Sequence, residues 1–238
     1  MKRLARMVFG RKRETTPLPP SKPKVLIFDF DGTIGDTFAA GVEILNQLAK
    51  EFGFRSLPPE EVQFARQLKT LQLMKHLGIP VSKMSRFAHR GSEEIGKRIH
   101  HVIPLPGMPE LLRELKHRGV TLGIITSNTE ANVKIFLKNH DLDFFDFIRS
   151  SSKLLGKARI IRSELRAHKI AKRDVLFVGD ETRDIEACQK AGVRIAAVTW
   201  GFNSTDSLKA LNPDYLFDKP EELLELLDTC EALKKANP

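Results

Sequence analysis

Cysteine is scarce in this chain. Only Cys188 and Cys230 occur among the 238 residues, and they have neither a CxxC nor a zinc-type spacing. That excludes a disulfide framework and points to reduced thiols in a cytosol-like compartment. Long apolar runs are missing as well: no uncharged stretch approaches the roughly 18 residues of a membrane span. The N-terminus lacks the apolar core of a signal peptide. A soluble, cytoplasmic protein without a transmembrane segment is expected, with no internal repeat. Acidic residues are nearly absent from one region, residues 1–24, where Glu14 alone faces Lys2, Arg3, Arg6, Arg11, Lys12, Arg13, Lys22 and Lys24. That region supplies +7 of the net charge of +9, so the remaining body is close to neutral. The charge is therefore no sign of specific nucleic-acid binding. With Pro17, Pro19, Pro20 and Pro23 at its end, residues 1–23 are expected to form a disordered basic tail. Such a tail can contact anionic surfaces or carry organelle-targeting information, and it is expected to be dispensable for catalysis.

What the chain does have is alternation. Strand-like apolar runs recur at Val25–Phe28, Val120–Thr126, Phe147–Ser150, Val175–Val178, Ile195–Thr199 and Tyr215–Phe217. Helical spacing of apolar residues fills the segments between them, at Glu110–His117, Ala131–Asn139, Ala158–His168 and Asp184–Ala191. This order predicts an α/β fold, a Rossmann-like three-layer core with a mostly parallel sheet. Residues 38–102 show only helical patterning, with Val42, Leu45, Leu48 and Phe52 in one segment, Leu68, Leu71 and Leu77 in a second, and Phe87–Ile99 in a third. That is too long for a crossover, so an inserted all-helical subdomain is expected there, leaving 24–37 and 103–238 as the core.

The first run, Val25-Leu26-Ile27-Phe28, leads straight into Asp29-Phe30-Asp31-Gly32-Thr33. In extended chain, residues 29 and 31 face one side while Phe30 turns back into the core. Two carboxylates that close repel each other, and a cation or a proton between them relieves the repulsion. Three more polar clusters sit where a parallel sheet places its ligands, beyond the strands' carboxyl ends. Thr126-Ser127-Asn128 follows the second run, Gly156-Lys157 lies after the third, and Gly179-Asp180-Glu181-Thr182-Arg183-Asp184 follows the fourth.

Taken in this order, the four clusters resemble the motifs of the haloacid dehalogenase superfamily. The likeness extends over nearly all of the chain from residue 24. Pro104-Leu105-Pro106-Gly107-Met108 and Thr199-Trp200-Gly201-Phe202-Asn203 look like the phosphoglycolate phosphatase-like branch, in which residues 38–102 take the position of a cap. By that resemblance the chain is a Mg²⁺-dependent phosphatase of a small phosphomonoester, with phosphoglycolate as the leading candidate. Asp29 would be the nucleophile that forms an aspartyl-phosphate, and Asp31 the acid and base. Ser127 would bond the transferred phosphoryl group and Lys157 offset its charge, with Gly32, Thr33 and Asn128 completing the phosphate-binding set. Asp29, the backbone carbonyl of Asp31, and Asp180 would hold the metal, with Asp184 supporting them. Chemistry agrees, since an oxygen-only site suits Mg²⁺ and phosphoryl transfer needs positioning and charge stabilisation.

Several alternatives stay open. A phosphomutase shares this constellation, whereas a dehalogenase lacks the second aspartate; a retired fold tethered by the basic tail would be a binding module. Lys153 competes with Lys157 as the motif lysine, for which the glycine at 156 suggests a tight turn. Ser127 could cap the following helix, and Asp184 could be a solvated acid in a helix's first turn. Glu181 and Arg183 are expected at the rim, and Asp36-Thr37 at the start of the first inserted helix. His76, His89, His100, His101, Arg66, Lys69, Lys75, Arg86 and Arg90 are expected on solvated faces, unless one of them binds an acid group of the substrate. Trp200 is expected to pack. The oligomeric state is not legible.

Overall fold

The computed structural model describes residues 22–151 and 156–236. Six strands, β1 (Val25–Phe28), β2 (Thr121–Thr126), β3 (Phe147–Ser150), β4 (Val175–Gly179), β5 (Arg194–Val198) and β6 (Tyr215–Phe217), form one sheet of order β3-β2-β1-β4-β5-β6. All neighbouring pairs are parallel. The central strands are buried on both faces, which explains their unbroken apolar runs. Alternate residues serve opposite faces. Leu26 and Phe28 of β1, with Leu176 and Val178 of β4, join one cluster; Val25, Ile27, Val175 and Phe177 join the other.

The first cluster is covered by the helices Met108–His117, Glu130–Asn139 and Glu221–Ala236, the second by Lys157–Ala167, Thr182–Ala191 and Thr205–Lys209. In chain order, after the four α-helices of residues 38–102, these are α5 and α6, then α7, α8 and α9, and finally α10. The three-layer expectation holds. Fully buried side chains such as Phe28, Phe136, Phe177 and Leu112 each favour folding by about 1.5–3 kcal/mol relative to exposure.

Between β1 and α5 the described chain makes only helices: α1 (Phe38–Phe52), α2 (Val62–Ala65), α3 (Thr70–His76) and α4 (Val81–Arg98), with short 3₁₀ turns. The connections into and out of this insert run side by side. Gly35 bridges Pro104 in antiparallel fashion, the Asp36 amide donates to the Ile103 carbonyl at 2.9 Å, and the Leu105 amide donates to the Ile34 carbonyl at 2.9 Å. The expected Leu68, Leu71 and Leu77 stripe is corrected: Leu77 is fully buried, but Leu71 is 48% exposed because α3 is a short surface helix with no buried residue. On α1 the buried positions are Ile44, Leu48 and Ala49, with Leu45 and Phe52 half-buried against the same core, so the expected face holds and widens.

The tail boundary also shifts. Pro23 is buried, Lys22 pairs with Glu231, and Lys24 Nζ lies 3.3 Å from Asp174, so these residues belong to the body. The tail expected over 1–23 lies outside the described residues up to position 21. Cys188 and Cys230 are free thiols in buried positions. Among the described residues no helix is long and apolar enough to cross a membrane.

Candidate active site

Strands β2, β1 and β4 are neighbours, so their carboxyl ends deliver Ser127, Asp29 and Asp180 side by side at the point where the chain's order across the sheet reverses. Lys157 arrives from the first residue of α7. Its Nζ lies 2.5 Å from Asp29 Oδ2 and 2.6 Å from Asp184 Oδ1, with all three side chains nearly inaccessible. Burial alone would lower the Lys157 pKa, but the charges of Asp184 and Asp29 outweigh it and hold the ammonium firmly protonated. Lys153 lies outside the described residues. Gly156 adopts an ordinary right-handed φ of −88°, so its backbone does not require a glycine and the expected tight turn is absent.

Asp29 Oδ1 accepts from the Phe30 amide at 2.7 Å, while its buried Oδ2 makes no aligned hydrogen bond. One carboxylate oxygen from each of Asp29, Asp180 and Asp184 falls within 4.8 Å of the others. Asp180 Oδ1 accepts from Thr33 Oγ1 at 2.6 Å and Oδ2 from the Phe202 amide at 2.7 Å. Burial, then the charges of Glu181, Asp29 and Asp184, push the Asp180 pKa well up. Asp184 is likewise pushed up to about 7 by burial, with Lys157 opposing and Asp29 reinforcing the shift. Buried carboxyls this crowded, with an orphaned oxygen and only oxygen donors, fit a hard divalent cation. Gly32 makes the crowding possible: its φ is +76°, and a Cβ there would fall 2.5 Å from Asp180 Oδ2.

Asp31 stands at the cleft's edge. Asn128 Nδ2 donates to both its oxygens at 3.2 Å. Burial, then the charge of Asp29, raises its pKa to about 7. Asn128 is itself fixed: its amide donates to Thr126 Oγ1 at 2.9 Å, and its Oδ1 accepts from Asn132 Nδ2 at 2.8 Å.

Three expectations change here. Thr129, not Ser127, caps α6, its hydroxyl accepting from the Asn132 amide at 3.2 Å. Ser127 Oγ instead accepts from Arg183 Nη2 at 3.1 Å. Arg183 and Glu181 are not rim residues: their side chains are only 10% and 15% exposed, and they pair with each other in the cleft. Asp184 is fully buried rather than a solvated first-turn acid. Thr37 occupies the N-cap position of α1 but makes no side-chain cap bond.

Sequence reasoning marked Thr199–Asn203 only as a likeness to the branch and gave Phe202 and Asn203 no part in the site. In this loop after β5 the Phe202 amide holds Asp180, Asn203 Oδ1 accepts from the Thr182 amide at 2.8 Å, and Asn203 Nδ2 donates to the Arg66 and Leu68 carbonyls at 2.9 and 3.2 Å. Arg66 answers by donating Nε to the Phe202 carbonyl at 3.1 Å and Nη2 to the Gly201 carbonyl at 2.9 Å, with its guanidinium over the Phe38 ring. Trp200 packs against the core, and its Nε1 donates to the Thr33 carbonyl at 3.3 Å. Pairings across more than 130 residues leave no local signal beyond the Gly-Phe-Asn turn composition itself.

Residues 26–198 match the family described as haloacid dehalogenase-like hydrolase. The chain belongs to that family. Within it, this haloacid dehalogenase-like hydrolase is 32% identical over 203 residues to a phosphoglycolate phosphatase of Synechococcus elongatus, covering 85% of this chain and 96% of that protein. It is 26% identical over 226 residues to a pyrophosphatase of Bacillus mycoides, covering 87% of this chain and 97% of that one. Its fold matches a haloacid dehalogenase-like family hydrolase of Streptococcus pneumoniae with a TM-score of 0.70 at 24% identity, over 86% of this chain and 98% of the other. The haloacid dehalogenase-like hydrolase described here therefore sits in the phosphoglycolate phosphatase-like branch and is a phosphatase hydrolase.

Proposed function

We propose that this chain hydrolyses a small phosphomonoester through a phosphoaspartate on Asp29, with Mg²⁺ held by Asp29, Asp180 and the Asp31 carbonyl and supported by Asp184. The observation that carries the reading is the buried triangle of Asp29, Asp180 and Asp184, with Lys157 between two of its members. The cation would supply charge neutralisation, letting a carboxylate approach an anionic phosphoryl group.

The chain's own groups account for the rest. The Asp29 carboxylate attacks phosphorus as the ester P–O bond breaks, and the leaving alkoxide takes a proton from Asp31. Asp31 then accepts a proton from water as that water attacks phosphorus, the bond to Asp29 breaks and inorganic phosphate leaves. A carboxyl with a pKa of about 7 populates both forms near neutrality, which suits both roles. Ser127 accepts from Arg183, so its own hydroxyl proton is free to donate to a phosphoryl oxygen. Lys157 holds a compact positive charge beside the nucleophile, and Gly32, Thr33 and Asn128 shape the phosphate cradle.

Residues 38–102 serve as the cap in this reading, the paired connections at Gly35 and Pro104 acting as its hinge. Phosphoglycolate, the substrate in the Synechococcus relative's name, is the reference ester. Free buried thiols agree with action in a reducing compartment. The test is phosphate release from a panel of phosphomonoesters with Mg²⁺ or EDTA, using wild type and Asp29→Asn. Mg²⁺-dependent turnover lost in the variant is expected; turnover that persists in Asp29→Asn overturns the covalent route.

A further inference from the structure

A cavity of about 280 Å³ opens from the catalytic face into the helical insert. Its floor is the site itself: Asp31, Ser127, Asn128, Glu181 and Arg183. Its walls are a different material. Most of the remainder is apolar, with Leu45, Leu48, Leu57, Leu73, Met74 and Phe87 drawn from α1, α3, α4 and the α1–α2 connection.

Among the described residues two cations line this space, Arg66 on the insert side and Arg183 at the floor, where its buried Nε makes no hydrogen bond and faces the place of the phosphoryl group. Arg183 is paired with Glu181 and bonded to Ser127, so it brings no net charge to the floor. Arg66 is committed to the Gly201 and Phe202 carbonyls and to the Phe38 ring. None of the insert's other basic residues is among the residues lining the cavity; Arg90 is held by Glu51, Glu93 and Glu94, Lys69 by Glu186, and His76 by Glu61. A second acid group seated above the floor would leave water for an apolar wall in which Arg66 is the one cation among the described residues, already held by two carbonyls and a ring, which strongly disfavours it. The space also equals the liquid volume of about nine waters at ~30 Å³ each, far more than a glycolate needs.

We infer that this cavity seats the organic part of the phosphomonoester, and that the part it takes is uncharged and apolar, a short aliphatic or aromatic alcohol rather than a hydroxy acid. The inference rests on the hydrolase reading for the placement of the phosphoryl group at the floor. It makes the apolar wall of the insert, rather than a charged contact, the source of discrimination.

The test uses calorimetric binding to the full chain with Mg²⁺ of two phosphonates that have no ester bond to hydrolyse. One is 2-phenylethylphosphonate and the other 3-phosphonopropionate, the isostere of phosphoglycolate; inorganic phosphate is the control. The phenyl compound is expected to bind at least about tenfold more tightly. Gly91→Leu should erase that difference while leaving inorganic phosphate binding intact. Gly91 lines the cavity, a Cβ there meets no atom within 4 Å, and losing a mid-helix glycine favours α4. Ala88→Leu, on the same wall, replaces it should Gly91→Leu also lose inorganic phosphate. Equal or tighter binding of 3-phosphonopropionate overturns the inference, as does a phenyl preference that survives the filled cavity. Absence of turnover on every ester together with a cavity-dependent phenyl preference leaves this inference standing and overturns the hydrolase reading instead.

Discussion

Lys157 Nζ lies 2.5 Å from Asp29 Oδ2, both side chains almost wholly buried. The contact joins α7 to the end of β1 and neutralises a carboxylate whose Oδ2 has no aligned hydrogen bond. Lys157→Met removes the ammonium that contacts both Asp29 and Asp184, so these two buried carboxylates lose the charge that bridges them. Urea unfolding without metal should show a loss of about 3–5 kcal/mol, and phosphate release should fall by about a hundredfold or more. Lys157→Arg should recover little of either, because a planar guanidinium cannot occupy the point between the two oxygens. An unaltered unfolding midpoint in Lys157→Met would refute the account of this pair.

The metal-free protein should lose stability as pH rises. Burial lifts the carboxyls of Asp31 and Asp184 from 3.8 to about 7. A carboxyl that is a weaker acid when folded favours folding while protonated; that contribution is complete below about pH 4 and gone above about pH 7. The melting temperature in EDTA should therefore decline from about pH 5 to about pH 8, and Mg²⁺ should flatten the decline by binding the ionised site. A profile in EDTA that rises over this range would contradict the burial described for these groups.

Gly32→Ala should disable metal binding without removing a ligand. A Cβ at this φ of +76° is strained, and it would press on Asp180 Oδ2 and the Phe202 ring. Mg²⁺ affinity measured by calorimetry should weaken about tenfold or more. Retained affinity would mean that the Asp180 carboxylate moves freely, contrary to its bonds with Thr33 and Phe202.

Asn203→Ala should loosen the insert from the core. The substitution strands the Thr182 amide and the Leu68 carbonyl, each at a cost of about 1–3 kcal/mol where water cannot reach, while the Arg66 carbonyl keeps the Ser204 amide. Trp200 is the chain's single tryptophan and lies three residues away, so its emission reports on this loop directly. A red-shifted spectrum and a higher KM are expected; an unchanged spectrum and KM would show that this loop does not hold the insert in place.

The strands, and the aspartates gathered at their ends, were legible because a doubly covered parallel strand must be an apolar run, and the residues at a sheet's ligand-facing edge follow it immediately. Asp29, Asp180 and Ser127 all obey that rule. Arg183 was not legible as a cleft residue: its sequence neighbours are those of an exposed first helical turn, and it is held in the cleft by Ser127, just past the end of β2, and by Glu181. Asn203 and Arg66 were hidden for a different reason, since their partners lie far along the chain. The helix α10 is a plainer omission, its Leu223, Leu227 and Cys230 spacing being readable and all three buried. The Leu71 error arose because a three-residue spacing in a seven-residue helix is met as easily by a surface stripe as by a core one.

The antiparallel contact of Gly35 with Pro104 brings both ends of a long excursion to one spot on the core. The sheet therefore sees a single small loop, however much chain hangs beyond it, and doubling that length would cost only about 0.6 kcal/mol in closure entropy. Geometry of this kind makes the helical segment an exchangeable part: it can be lengthened, replaced or recombined with another's while the strands and their carboxylates keep their register.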